Sequence, residues 1–170
     1  LLDDADPDGQ TILFRYPRDA GQEVEKTLRY VRPVIRIELG ARSEHQPAEF
    51  HEIQPYAAEE FPDLFEDPRV HVKVLAAERT FWEKATILHM FANYPEGKIV
   101  PERQSRHHYD FYCLLKSHVK QDALNEIQLL TDVCNHKSIY FRSGAAKYDE
   151  AKSGKLKLVP QGPIDHQLSA

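Results

Sequence analysis

The sequence predicts an α+β domain, with short mixed or antiparallel strands in its first half and helices in its second. Two stretches, Val34-Ile35-Arg36-Ile37-Glu38-Leu39 and Val70-His71-Val72-Lys73-Val74-Leu75, alternate between faces with the period of two that marks a strand. From Ala76 the period becomes helical, with Phe81, Ala85, Leu88 and Ala92 recurring at four and three residues. A chain of 170 residues, 41% hydrophobic, with eight Phe, eight Tyr and one Trp, is also long enough to bury one sizeable core.

The elements follow in order. Asp3 to Gln10, with Pro7, Gly9 and several carboxylates, reads as a loop, and Thr11 to Tyr16 as a short strand stopped by Pro17. A polar turn around Asp19 to Gln22 precedes the best strand, in Tyr30 to Arg42. There Ile35, Ile37 and Leu39 share one face, Arg36 and Glu38 share the other, and Gly40 ends the run. Glu52 to Ala58 reads as a further extended piece, and the acidic, proline-punctuated stretch Glu59 to Pro68 as a loop. After the strand Val70 to Leu75, a helix runs from Ala76 to the stop at Pro95-Glu96-Gly97. A second spans Ser105 to Ser117 with Tyr109, Tyr112 and Leu115 as its apolar ridge, and a third spans Gln121 to Val133 with Ala123, Ile127 and Leu130. Beyond Ser138 the pattern weakens into a polar tail with short apolar runs at Ile139 to Phe141 and Leu156 to Val159. The organisation is thus a strand-rich part over 1–75, a helical part over 76–134 and a basic tail over 135–170, in one compact unit.

Composition narrows the function classes. No apolar run approaches the roughly 18 to 20 residues that span a bilayer, and Leu1-Leu2-Asp3-Asp4 lacks the flank of a signal peptide. Cys113 and Cys134 have no metal-type spacing and read as buried or inert thiols. A cytoplasmic protein without membrane contact is expected. The net charge of −5 conceals an acidic block, Glu49 to Asp67, and a basic one, in which Lys137, Arg142, Lys147, Lys152, Lys155 and Lys157 outnumber Asp149 and Glu150. Both read as solvated surface, with a polyanion contact as the sharper alternative for the basic block.

Two residues stand out chemically. Lys84, with Phe81 three residues before it and Leu88 four after, lies on the apolar stripe of its helix. Either it snorkels to water along the core edge, or it is a fixed ammonium suited to neutralising phosphate charge. Asp110 lies in Ser105-Arg106-His107-His108-Tyr109-Asp110-Phe111-Tyr112, four residues after Arg106. An exposed ion pair with Arg106 is one account; a carboxylate beside buried aromatics that orients Lys84 or accepts a hydroxyl proton is the other. His107-His108 with Asp110 is the densest of the histidine clusters, but no two histidines take the helical i, i+4 spacing of paired metal ligands. The seven glycines form no phosphate-binding loop, dinucleotide fingerprint or nucleophile elbow.

Glu78-Arg79-Thr80-Phe81-Trp82-Glu83-Lys84-Ala85, followed about twenty residues later by Ser105 to Asp110, resembles the later motifs of the AbiEii/AbiGii toxin-type nucleotidyltransferases. In that family a helix bearing a Glu-Lys step precedes an Arg-containing helix that ends in an aromatic residue and an Asp. Tyr30 to Gly40 is similar to the strand ahead of these motifs, and Phe141-Arg142-Ser143 through Tyr148-Asp149-Glu150 to the family's carboxyl-terminal region. The resemblance implies transfer of a nucleotidyl group from a nucleoside triphosphate, with Mg2+, onto an acceptor that in some relatives is tRNA, beside a cognate antitoxin. It makes Lys84 and Asp110 the catalytic candidates and places Arg106 in the same motif, with Arg79 and Arg36 as further substrate-binding candidates. Glu38, on the polar face of the best strand, is the candidate metal ligand. The family's first motif, a Gly-Ser pair about ten residues ahead of an Asp-x-Asp, is missing: Asp4-Ala5-Asp6 and Asp6-Pro7-Asp8 have the spacing but no Gly-Ser before them. The expectation is therefore a partial nucleotidyltransferase-like fold without its first strand-helix-strand motif, a fragment inactive alone. The rival is a non-catalytic protein- or RNA-binding domain in which Lys84 and Asp110 are a structural ion pair.

Overall fold

The computed structural model describes Asp6 and residues 9–15, 34–40 and 47–159. The expected turn at 19–22, the lead-in before Val34 and the acidic positions 4 and 8 lie outside them. The chain divides into two compact units, Leu1–Ser43 and Glu44–Ala170, where its length suggests one.

In the first unit, β1 (Thr11–Arg15) pairs antiparallel with β2 (Val34–Glu38). The register sets Ile12 opposite Ile37 and Phe14 opposite Ile35, so these four apolar side chains share one face. The Asp6 carboxylate accepts the Gln10 N–H at 2.7 Å, and Gly9, at φ +61°, turns the chain into β1.

The second unit opens with another antiparallel hairpin, β3 (Ala48–Ile53) and β4 (Val70–Leu75), in register from Ala48 opposite Leu75 to Ile53 opposite Val70. The extended piece expected over 52–58 is corrected: the strand ends at Ile53 and helix α1 covers Tyr56–Glu60. Pro55 explains the switch, because its fixed φ of −67° and missing N–H suit the residue that opens a helix. A 3-10 turn, Pro62–Leu64, occupies part of the expected loop.

Helix α2 (Ala77–Ala92) is the centre of the unit, burying Phe81, Trp82, Ala85, Leu88 and Phe91. Helix α3 (Ser105–Lys116) packs on it through Phe111, whose ring lies 4.8 Å from that of Phe81. This corrects the predicted ridge: Tyr109 is 70% and Tyr112 56% exposed, and the inward face runs instead through Phe111, with Leu114 and Leu115 partly buried. The single helix expected over 121–133 is two, α4 (Val119–Asn125) and α5 (Gln128–Tyr140). One continuous helix would set Ile127 in line with Ala123 and Leu130. The break at Glu126 leaves Ile127 exposed and turns Leu129, Leu130, Val133 and Cys134 inward. Across the core the Trp82 indole N–H donates to the Ala123 carbonyl at 3.2 Å, fixing α2 to α4.

The region after Ser138 is also more ordered than its pattern suggests. Helix α5 continues to Tyr140, a 3-10 turn covers Gly144–Ala146, and α6 covers Tyr148–Lys152, with Ala146 and Ala151 fully enclosed. His89, fully buried in α2, accepts the Lys157 backbone N–H on Nδ1 at 2.9 Å, and Leu156 and Leu158 pack against the core. Burial holds the His89 imidazole below its usual pKa, consistent with a neutral ring accepting that N–H. Cys134 is buried, which pushes its thiol up to about 11; Cys113, expected buried or inert, is exposed.

Candidate active site

Lys84 lies in the second and third turns of α2, and its ammonium turns to α3 rather than along the core edge. Its Nζ donates to Asp110 Oδ2 at 2.6 Å and lies 3.2 Å from His107 Nδ1. His107 and Asp110 are three residues apart, so α3 offers both acceptors from one face. Burial, then the Lys84 charge, lowers the His107 pKa, which keeps Nδ1 free to accept. The Lys84 side chain is 20% and that of Asp110 43% exposed, so the pair meets solvent. An ammonium has three donors, and these contacts use two.

The turn ahead of Lys84 is held from behind. Arg79, itself 2% exposed, donates through Nε to Glu83 Oε1 at 3.2 Å. The Lys137 ammonium, brought in by α5, donates to the Glu83 carbonyl at 2.9 Å and to Thr86 Oγ1 at 3.0 Å. Thr86 in turn donates within its own helix, reaching the Trp82 and Glu83 carbonyls at 3.0 and 2.9 Å. Burial draws the Lys137 pKa down to about 8. Arg79, Lys84 and Lys137 therefore concentrate positive charge around one turn, against the carboxylates of Glu83 and Asp110.

The other candidates separate. Arg106 is exposed and makes no ion pair with any described residue; Asp110 pairs with Lys84, not with Arg106 four residues away. Arg79 is enclosed, and its Nε pairs with Glu83. Arg36 and Glu38 belong to the other compact unit, where Arg36 Nε and Glu38 Oε1 pair at 3.1 Å on an exposed strand face. Among the described residues no group of three or more His, Cys, Asp or Glu is placed to hold a metal ion. Asp110 offers one carboxylate, already engaged by Lys84, and that does not make a Mg2+ site.

Sequence reasoning missed two residues here. His107 stood as part of a possible metal cluster, although its three-residue spacing from Asp110 already aligned the two. Lys137 stood in a solvated basic block, yet it follows Leu130, Val133 and Cys134 by seven, four and three residues, the same stripe logic that singled out Lys84.

A Lys-Asp pair reaching solvent between two helices recurs in many folds, so the comparison with known families decides its context. The model of the family described as "Nucleotidyl transferase AbiEii toxin, Type IV TA system" matches residues 2–167, nearly the whole chain. The chain belongs to the AbiEii family. No curated protein and no solved structure matches it. Membership of the AbiEii family points to nucleotidyl transfer and to a toxin-antitoxin setting, and the mixed architecture, early antiparallel strands followed by helices, is consistent with it. No helix among the described residues is long and apolar enough to cross a membrane.

Proposed function

We propose that this AbiEii-family chain carries the lysine and aspartate of a nucleotidyltransferase that moves a nucleotidyl group from a nucleoside triphosphate to an RNA acceptor such as tRNA. The observation that carries the reading is the 2.6 Å contact between Lys84 Nζ and Asp110 Oδ2, made by two helices and open to solvent. Lys84 meets the triphosphate: its remaining donor is available, and the neighbouring Lys137 and Arg79 make the turn attractive to an anion. Asp110 orients the ammonium and accepts the proton of the attacking hydroxyl, with His107 keeping Lys84 in place. Arg106, exposed one turn before Asp110, contacts substrate phosphate. Glu83, Arg79 and Lys137 position the helix and touch no substrate.

Mg2+ belongs to this reading as the ion that accompanies the triphosphate, with Glu38 as a candidate ligand, but the described carboxylates do not assemble a site for it. The charge neutralisation attributed to this chain is that of its own cations. A cytoplasmic location and a cognate antitoxin complete the proposal. The test is to incubate the full gene product with each radiolabelled nucleoside triphosphate and total tRNA. Wild type labels the RNA with at least one nucleotide; Lys84→Ala and Asp110→Ala reduce labelling about 100-fold or more, the scale of a lost charge-stabilising or proton-accepting group. Undiminished labelling in both variants overturns the assignment.

A further inference from the structure

A polyanion contact was one expectation for the basic carboxyl-terminal block, but much of the charge there is already engaged. Lys137 is buried against the Glu83 carbonyl, Lys147 pairs with Glu150 at 3.2 Å and Lys152 with Asp149 at 2.8 Å. Unpaired cations and exposed rings come together instead on α3, the helix that carries His107 and Asp110. At about 100° per residue, Arg106, Tyr109, Tyr112 and Lys116 fall within about 120° of one another, on the side opposite Phe111, which packs on Phe81 of α2. Exposure agrees with the spacing: Tyr109 is 70% and Tyr112 56% exposed, and Arg106 and Lys116 are exposed as well. Neither cation makes an ion pair with any described residue, and Lys116 Nζ lies 5.7 Å from the centre of the Tyr112 ring. Asp110, the sole carboxylate of α3, is engaged by Lys84. This face is therefore cationic and aromatic, and its own helix supplies no free carboxylate to oppose an anion.

The make-up of the face selects what lies on it. An acidic peptide satisfies Arg106 and Lys116 but leaves two ring faces idle, and a nucleic-acid duplex keeps its bases stacked inside and offers mainly its backbone. An unpaired nucleotide strand uses both kinds of group, its bases against the rings and its phosphates on the cations. Position adds direction. Asp110 borders the face, about 40° past Arg106 around the helix and next in sequence to Tyr109. Lys116 lies about 9 Å further along the helix axis, so the face has room for a short run of nucleotides leading to the carboxylate.

We propose that the outward face of α3 holds the unpaired end of the RNA acceptor. Tyr109 and Tyr112 stack on its bases, Lys116 takes a phosphate, and Arg106 holds the phosphate beside the hydroxyl that reacts at Asp110. The inference deepens the function above and rests on that reading for the destination of the hydroxyl. One helix then has two tasks: it orients Lys84 through His107 and Asp110, and it delivers the acceptor to them.

The test measures binding of a fluorescein-labelled twelve-nucleotide single-stranded RNA to the whole protein by anisotropy, at several salt concentrations and without nucleoside triphosphate. Tyr112→Ala is expected to weaken binding about tenfold with the salt slope unchanged, as loss of one stacked base does. Lys116→Gln is expected to weaken it and to lower the slope by about 0.7, the share of one phosphate on a single strand. Arg142→Gln, which removes an exposed cation of the carboxyl-terminal block, is expected to bind as wild type does, and a blunt RNA duplex about tenfold more weakly than the strand. Circular dichroism confirms that these surface variants fold. The proposal is overturned by no binding to wild type, by undiminished binding to Tyr112→Ala and Lys116→Gln, by equal losses in Lys116→Gln and Arg142→Gln, or by a duplex bound as tightly as the strand. A glutamate-rich peptide that displaces the RNA as well as unlabelled RNA does also overturns it. Nucleotide labelling on the same preparations keeps the two readings apart. If RNA is bound through Tyr112 and Lys116 but never labelled, the surface stands and the catalytic reading fails. If labelling is lost in Lys84→Met but keeps its rate and its KM for RNA in Tyr112→Ala and Lys116→Gln, the catalytic reading stands and the surface fails.

Discussion

Phe81 in α2 is 4% exposed and Phe50 in β3 is 71% exposed, and the contrast extends to the elements that carry them. Helix α2 finds partners in α3, α4 and α5, so its stripe is enclosed by the three helices that follow it in the chain. The β3–β4 hairpin has one partner per strand. Val70, Val72 and Val74 are 53%, 38% and 40% exposed, and among the described residues each strand of this sheet pairs only with the other. The lesson is positional: the groups proposed to carry the chemistry, Lys84, His107 and Asp110, are held by the enclosed helices, where side chains are fixed from behind, and not by the exposed hairpin.

The contrast breaks most readily under truncation. Leu88→Ala, which leaves a cavity in the helical core, is expected to cost about 2 to 5 kcal/mol in urea unfolding, against less than about 1 kcal/mol for Val72→Ala in the hairpin. Equal losses would mean that the hairpin is enclosed as firmly as the helices. A second difference concerns pH. The folded pKa of Lys137 is about 8 against its ordinary 10.5, so between those values the unfolded chain holds the proton more tightly and folding is favoured as pH rises. The charged lysine thus costs stability below pH 8. Lys137→Met removes that dependence: relative to wild type it should be favoured by ~3 kcal/mol more at pH 7 than at pH 10.5. Cys134 and Tyr148, pushed up to about 11 and 12 by burial, bend both curves the other way, and the difference between variant and wild type removes the part of that bend that does not depend on the Lys137 charge. The smallest contrast is between ion pairs. Glu83→Gln, beside the enclosed Arg79, is expected to cost ~2 kcal/mol, and Glu52→Gln, paired with exposed Arg69 at 3.4 Å, less than ~0.5 kcal/mol, read as shifts in the urea midpoint.

What could be read in the sequence divides along the same line. The α2 stripe was visible because period and burial agree there, and the β4 strand was visible from its alternation alone, since Val70 to Val74 are all exposed. The ridge of α3 was not: Tyr109, Phe111 and Tyr112 are all aromatic, and the packing of Phe111, which has no hydroxyl to satisfy, on Phe81 selects the inward face. The break between α4 and α5 carries no Gly or Pro, and it arises because two short helices bury Ala123 and Leu130 without forcing Ile127 inward. Lys84 and Asp110 were legible as an oddly placed lysine and a carboxylate near aromatics. That they touch, and that His107 and Lys137 support the lysine helix, depends on the tertiary approach of α2, α3 and α5.

The direct test of a functional rather than a structural pair is to measure stability and nucleotide transfer on the same preparations of wild type, Lys84→Met and Asp110→Asn. A pair at 20% and 43% side-chain exposure that serves chemistry should cost no more than about 1 kcal/mol of stability when broken, while RNA labelling falls about 100-fold or more. Variants that label RNA at the wild-type rate, or that lose activity only in proportion to unfolded protein, contradict the account.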